Sequence, residues 1–189
     1  MTPSNLTCSN LDGCAMRVFL IGYMGCGKSS LGRKLAKMAD MRFVDMDSLI
    51  EEREGASVSD IFRYEGEEYF RKLERAIIDE LSQVEEDMVI STGGGVPTWQ
   101  DNMAKINSVG ESFYLRRTAE QIASRLSPHG RQKRPKLRGL NDEELVLFMR
   151  ENMAQREPYY MQATHCIDCA ERSDAELIEY ILSIVKSNE

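Results

Sequence analysis

Gly22-Tyr23-Met24-Gly25-Cys26-Gly27-Lys28-Ser29 carries the spacing G-x-x-x-x-G-K-S, directly after the apolar run Val18-Phe19-Leu20-Ile21 and directly before a helix-forming stretch. In a strand-to-helix connection such a loop turns successive backbone N–H groups inward around a phosphate, with the positive end of the following helix dipole behind them. Lys28 then reaches the β- and γ-phosphates, and the Ser29 hydroxyl ligates Mg²⁺. Gly25, Cys26, Gly27 and Ser30 complete the cradle. The competing reading is a glycine-rich turn with a coincidental Lys-Ser pair, against which the strand–loop–helix setting weighs. A bound nucleoside triphosphate is the expectation.

On both sides of this loop, strands and helices alternate with short connections. Arg17 to Ile21 reads as the first strand, Lys28 to Met38 as the first helix, and Arg42-Phe43-Val44, ending at Asp45, as the second strand. Ser48 with Glu51, and Ser57, mark helix starts. Phe70, Leu73, Ile77 and Leu81 recur at helical spacing. Met88 to Ile90 and Ser112 to Leu115 read as strands, Thr118 with Gln121 as a capping box, Asp142 to Arg156 as a helix, Thr164 to Cys169 as the last strand, and Ser173 with Glu176 as the start of the last helix. Ser127 to Gly139 interrupts the rhythm with Pro128, Gly130, Pro135 and Gly139, and gathers Arg131, Lys133, Arg134, Lys136 and Arg138. This alternation implies an α/β protein with a parallel sheet covered on both faces.

The chain has 189 residues, enough for one α/β domain with a proper core and no second large one. Its formal charge of −7 argues against a nucleic-acid partner, since phosphate backbones are held by clustered cations. No apolar run is long enough to span a membrane, and the first residues lack the basic and apolar regions of a signal peptide. Five cysteines, an odd number, point to a reducing compartment, so a cytoplasmic location is expected. Cys166 and Cys169 would face opposite sides of a strand, which makes their C-x-x-C spacing a coincidence. Residues 1–15 read as a disordered extension, and 16–189 as the domain.

In such sheets ligands lie beyond the carboxyl ends of the strands. The first strand runs into the phosphate loop, the second into Asp45-Met46-Asp47, the third into Ser91-Thr92-Gly93-Gly94-Gly95. The carboxylates serve either a ligand or the cap of the next helix. The glycines serve either close backbone approach or a plain turn. Arg71, among Glu67, Glu68, Glu74 and Arg75, reads on spacing alone as a surface ion pair.

Taken together, the phosphate loop, Asp45-x-Asp47, Phe62, Phe70-Arg71 with Glu74, Gly93-Gly94-Gly95, Arg134-Pro135 and Arg156-Glu157-Pro158-Tyr159 resemble the shikimate kinase family over about residues 16–187. The resemblance implies a three-layer P-loop NTPase fold: a five-stranded parallel sheet in the order 2-3-1-4-5, a substrate-binding region over about 45–75 and a mobile lid over about 127–140. It implies transfer of the γ-phosphoryl group of ATP to the 3-hydroxyl of shikimate, with Mg²⁺. Arg71 and Arg156 would take the substrate carboxylate, as guanidinium groups do bidentately. Asp47, Gly93, Gly94 and Gly95 would take its hydroxyls, Phe62 and Phe70 would wall its ring, and Glu74 would hold Arg71 or a nearby water in place. Asp45 would bind Mg²⁺ through water beside Ser29. Lys28, Asp47 and Arg134 would be the catalytic residues, with Arg134 on the lid. The stretch from Ser127 to Lys136 departs from the family pattern, so Arg125 is one candidate for the adenine contact among others. A monomer is expected. Two other readings stand beside this one: a related small-molecule kinase such as a gluconate kinase, and a nucleotide-binding module without catalysis.

Overall fold

The apolar run ahead of the phosphate loop forms β1 (Arg17–Ile21), buried at every position. In the computed structural model, which describes residues 15–132, 134–170 and 172–187, β1 is the middle strand of a five-stranded sheet. Helix α1 (Lys28–Ala39) follows the loop, entered through Gly27 at φ 107° and closed by Asp40 in the left-handed region, whose N–H reaches Ala36 O. Next come β2 (Arg42–Asp45) and, without an intervening loop, α2 (Met46–Glu54). Two helices, α3 (Val58–Tyr64) and α4 (Glu67–Leu81), lead to β3 (Met88–Ser91). A 3₁₀ turn (Val96–Thr98) and α5 (Asn102–Val109) precede β4 (Glu111–Arg116). The chain then forms α6 (Ala119–Arg125), α7 (Pro128–Gln132), a second 3₁₀ turn (Pro135–Leu137), α8 (Asp142–Tyr160), β5 (His165–Asp168) and α9 (Asp174–Ser187).

All four strand pairings are parallel, in the order β2-β3-β1-β4-β5. Their registers bring the carboxyl ends level: Leu20 pairs with Ser91 and Asp45 also pairs with Ser91, so the loops after β1, β2 and β3 open side by side. Burial of Val18, Phe19, Leu20 and Ile21 against Val89, Ile90, Phe113 and Leu115 forms the centre of the core. Each such side chain contributes about 1.5–3 kcal/mol of transfer free energy.

Three local expectations are corrected. The helix expected to start near Ser48 begins at Met46, because Asp45 itself is the N-cap, its Oδ1 accepting the Ser48 N–H at 3.4 Å. The helix expected to stop at Arg156 continues to Tyr160 through Pro158. Pro158 lacks the N–H that would reach Ala154 O, so one rung of the ladder is missing, yet the helix runs on and the extra turn carries Tyr160 onto the face of Arg156. The stretch from Ser127 to Gly139, read as irregular, contains α7 and a 3₁₀ turn, with Leu137 as its buried anchor. The last strand, expected over Thr164 to Cys169, is one residue shorter at each end; Cys166 within it is exposed and Cys169 just beyond it is buried, so the two thiols do not share a face. Apart from Ala15, the proposed extension over residues 1–15 lies outside the described residues, as does Lys133. Among the described residues no helix is long and apolar enough to cross a membrane.

Candidate active site

Lys28, the first residue of α1, is buried, and its ammonium donates to Gly22 O at 2.7 Å and Tyr23 O at 3.0 Å. The cation thus sits in the mouth of the loop that its own backbone forms. Gly25 and Gly27 adopt positive φ, the turn geometry that the loop demands. Ser29 donates to Asp45 Oδ2 at 2.5 Å and stands 3.2 Å from the Ser91 hydroxyl. Ser30 is exposed on the next position of the helix. Asp45 therefore does two things at once: one oxygen caps α2 and the other faces the loop serine. A hydroxyl, a carboxylate oxygen and a second hydroxyl form a hard oxygen donor set of the kind Mg²⁺ takes while keeping several waters.

Gly93-Gly94-Gly95 lies against the loop. A Cβ on Gly94 would stand 3.2 Å from Met24 N and 3.6 Å from Gly22 O. A Cβ on Gly93 would meet Glu74 Oε1 at 2.7 Å and Asp47 Oδ1 at 2.8 Å, so two carboxylates converge on this one backbone position. A Cβ on Gly95 would fall inside the Arg71 guanidinium. The glycine run is thus no plain turn; side chains from α2 and α4 occupy the space it leaves open.

Arg71 is buried, 6% exposed, which corrects the surface-pair reading. Its Nη1 donates to Glu74 Oε2 at 2.6 Å and its Nη2 to Glu67 Oε1 at 2.9 Å. Glu74 is fully buried, and its Oε1 has no hydrogen-bond partner. Burial raises its pKa to about 7, against the pull of Arg71 in the opposite direction. Burial also raises Asp47, reinforced by Asp45 and opposed by Lys28. A carboxylate raised toward neutrality is a better proton acceptor at working pH than an ordinary one. Phe62 and Phe70 pack with ring centroids 4.6 Å apart, and the Arg71 guanidinium carbon lies 5.8 Å from each ring. These groups make one wall, half aromatic and half charged.

Arg156 comes from α8 on the opposite side. Its Nη1 lies 3.5 Å from Gly94 O, and its guanidinium stands 5.6 Å from the Tyr23 ring centroid. One turn on, the buried Tyr160 hydroxyl donates to the same Gly94 oxygen at 2.7 Å. Asp47, Glu74, Arg71 and Arg156 are therefore gathered around the glycine run, which abuts the phosphate loop. Arg134 is not drawn into this group: its Nη1 donates to Gly130 O at 2.6 Å, within the stretch from Ser127 to Gly139. Arg125 is exposed at the end of α6, with Nη2 3.8 Å from where a Gly27 Cβ would stand.

Sequence reading passed over Ser91, Tyr160 and Arg117. Ser91 could have been found from its place at the carboxyl end of a fully apolar strand. Tyr160 could not, because its role depends on α8 running past Pro158.

Comparison with known proteins agrees with this geometry. The shikimate kinase family model matches residues 24–186. A shikimate kinase of Parabacteroides distasonis is 44% identical over 152 residues, covering 80% of this chain and 87% of that protein. A crystal structure of shikimate kinase from Bacteroides thetaiotaomicron superposes with a TM-score of 0.83 at 35% identity, over 90% of this chain and 98% of that one. A shikimate kinase from Acinetobacter baumannii, solved in complex with shikimate, superposes with a TM-score of 0.81 at 31% identity, over 94% and 96% of the two chains. With the phosphate loop, the acidic pair and both arginines in one crevice, the chain belongs to the shikimate kinase family of ATP-dependent kinases.

Proposed function

We propose that this chain transfers the γ-phosphoryl group of ATP to the 3-hydroxyl of shikimate, giving shikimate 3-phosphate and ADP on the route to aromatic amino acids, as a cytoplasmic monomer. The observation that carries this reading is the meeting of the Asp47 and Glu74 carboxylates at Gly93, beside a glycine run in contact with the phosphate loop. A hydroxylated acid seated there has an acceptor for its hydroxyls on one side and guanidinium groups for its carboxylate on the other.

Phosphoryl transfer asks little covalent work of a protein; alignment and charge neutralisation dominate. Asp47 accepts a hydrogen bond from the 3-hydroxyl and aims the oxygen at the γ-phosphorus. As the new O–P bond forms, the bond to the β–γ bridging oxygen breaks, and the hydroxyl proton passes to Asp47. Arg71, held by Glu74, and Arg156 fix the carboxylate, while the packed pair Phe62 and Phe70 walls one side of the ring and Gly93 to Gly95 line another with bare main chain. Lys28 follows the charge from the γ-phosphate onto the departing ADP. Gly25, Cys26, Gly27, Ser29 and Ser30 surround the phosphates. Ser29 and, through water, Asp45 would hold Mg²⁺, which neutralises phosphate charge when bound. Residues 127–140 act as a lid that closes over the nucleotide, brings Arg134 to the transferring group and keeps water from the γ-phosphate.

Gluconate lacks the ring that Phe62 and Phe70 would wall, and a regulatory module would have no use for Asp47 beside Gly93. Coupled ADP release with shikimate, gluconate or no acceptor separates the readings. ADP should appear at a substantial rate with shikimate only; release driven equally by gluconate, or by none of them, would reject the proposal. Asp47→Asn should keep ATP binding and lower turnover about 10²-fold or more, within the range of lost general-base catalysis. A fall of less than tenfold would remove Asp47 from the chemistry.

A further inference from the structure

Two buried arginines have no carboxylate at hydrogen-bond distance among the described residues, and they stand at opposite ends of the sheet. Arg17, at the start of β1, donates to Leu81 O, Val84 O, Ala15 O and Val109 O at 2.6–3.4 Å. Leu81 and Val109 are the last residues of α4 and α5, so the negative ends of two helices meet that charge. Its work is to close the amino end of the fold. Arg117, one residue past β4, lies at the carboxyl end, where ligands lie. Its Nε donates to Cys26 O at 3.0 Å and its Nη1 to Cys169 O at 2.9 Å. Neither acceptor ends a helix. Cys26 is the last variable residue of the phosphate loop, and Cys169 follows β5.

The Cys26–Gly27 peptide is trans, as are all described peptide bonds, and a planar trans peptide points its C=O and N–H in opposite directions. A guanidinium anchored on the Cys26 oxygen therefore fixes the direction of the Gly27 N–H. It also polarises that amide toward a stronger donor, since hydrogen bonds in series reinforce one another. Gly27, at φ 107°, has no side chain to hold the plane by its own sterics. An external anchor is what such a position needs, and the buried guanidinium of Arg117 supplies one.

We infer that Arg117 is a positioning residue of the nucleotide site: it clamps the Cys26–Gly27 peptide against the end of β5 and aims the Gly27 N–H at the β-phosphate. The inference rests on the reading of Gly22–Ser29 as the cradle for the phosphates of ATP. Three variants test it by calorimetric titration with ADP, AMP and shikimate, with melting temperatures measured in parallel. Arg117→Met removes the donors, Arg117→Lys keeps the charge, and Arg17→Met removes a guanidinium of like burial far from the loop.

Arg117→Met should weaken ADP about tenfold, the low end of what a hydrogen bond to a charged group contributes, and leave AMP, which has no β-phosphate, and shikimate within twofold. Arg117→Lys should recover part of the loss, and carries the same test at about threefold should the methionine variant not fold. Arg17→Met should lower the melting temperature yet leave ADP within twofold. Unchanged ADP affinity in both Arg117 variants would overturn the inference, as would equal losses for ADP, AMP and shikimate, or an ADP loss of the same size in Arg17→Met. Failure of the parent protein to bind ADP at all would instead reject the cradle reading itself.

Discussion

Gly95→Ala isolates the guanidinium of Arg71 with a single methyl group. Gly95 sits at φ −97°, ψ −17°, a conformation that alanine adopts freely, so the backbone has no reason to strain. The three atoms nearest the added Cβ are Nη2, Nη1 and Cζ of Arg71, all inside van der Waals contact. The guanidinium must swing away from Glu74 Oε2, its partner at 2.6 Å. Glu74 then has no partner for either oxygen, but its pKa, already about 7 through burial, lets it take a proton rather than remain a bare buried anion. The fold should therefore survive with a loss of about 1–2 kcal/mol. Binding loses more. Removing one member of a hydrogen-bonded charge pair costs about 2–5 kcal/mol, and with Arg156 still in place the lower part of that range applies. A loss of about 2–3 kcal/mol corresponds to a rise of about 30- to 150-fold in the KM for shikimate. Coupled ADP release with shikimate varied at saturating ATP, then the reverse, measures it, with thermal unfolding as the check on folding. The KM for ATP should stay within about twofold of the parent. A folded Gly95→Ala protein whose shikimate KM lies within threefold of the parent would refute the placement of Arg71 at the substrate.

Glu74 also gives a pH signature. Its folded pKa, about 7, lies above its ordinary 4.5, so the folded state holds the proton longer. Stability from this group is fully present below about pH 4.5, falls as pH rises toward 7 and levels off above, by about 3 kcal/mol at most. Arg71, Asp47 and Glu67 are the charges that act on it. Urea denaturation at pH 5 and pH 8 should show the parent losing stability relative to Glu74→Gln across that interval; parallel behaviour of the two proteins would contradict the burial argument. Tyr160→Phe removes the donor to Gly94 O and should raise the shikimate KM about fivefold, the value of one hydrogen bond, with the ATP KM unchanged; equal changes in both would assign Tyr160 to packing alone. Asp45→Asn keeps an acceptor for the cap of α2 but removes the charge opposite Ser29. It should shift the Mg²⁺ dependence of turnover to about tenfold higher concentration, and an unmoved magnesium titration would take Asp45 out of the metal site.

The sequence spelled out those parts of this site that are local. The phosphate loop is eight consecutive residues whose composition and spacing encode its geometry, and strand, loop and helix appear in the structure where they were read. Asp47 and Gly93 to Gly95 were legible because parallel strands of an α/β sheet place their following loops on one edge. Spacing misled at Arg71, where four neighbouring charges imitate an exposed helix face. The difference lies in what covers that face: Phe62 and the glycine run close over the guanidinium beside Phe70, and neither of these is near enough in sequence to alter its periodicity. Asp45 was posed as cap or ligand; the structure shows the cap with one oxygen and leaves the other toward Ser29, so the two roles do not compete, because a carboxylate has two oxygens and α2 starts one residue after β2.

What stayed hidden is non-local. Tyr160 and Gly94 are 66 residues apart, and Arg117 and Cys26 are 91 apart. Each contact joins a side chain to a backbone carbonyl, and a carbonyl leaves no mark in a sequence because every residue has one. Side chains paired with side chains, as Arg71 with Glu74, can be guessed from complementary charge; side chains that hold the main chain cannot. The central parts of this site, a phosphate loop and three successive glycines, offer main chain as well as side chains to a ligand. The residues that hold that main chain are therefore the ones that only a structure reveals: Arg117 on the Cys26 oxygen and Tyr160 on the Gly94 oxygen.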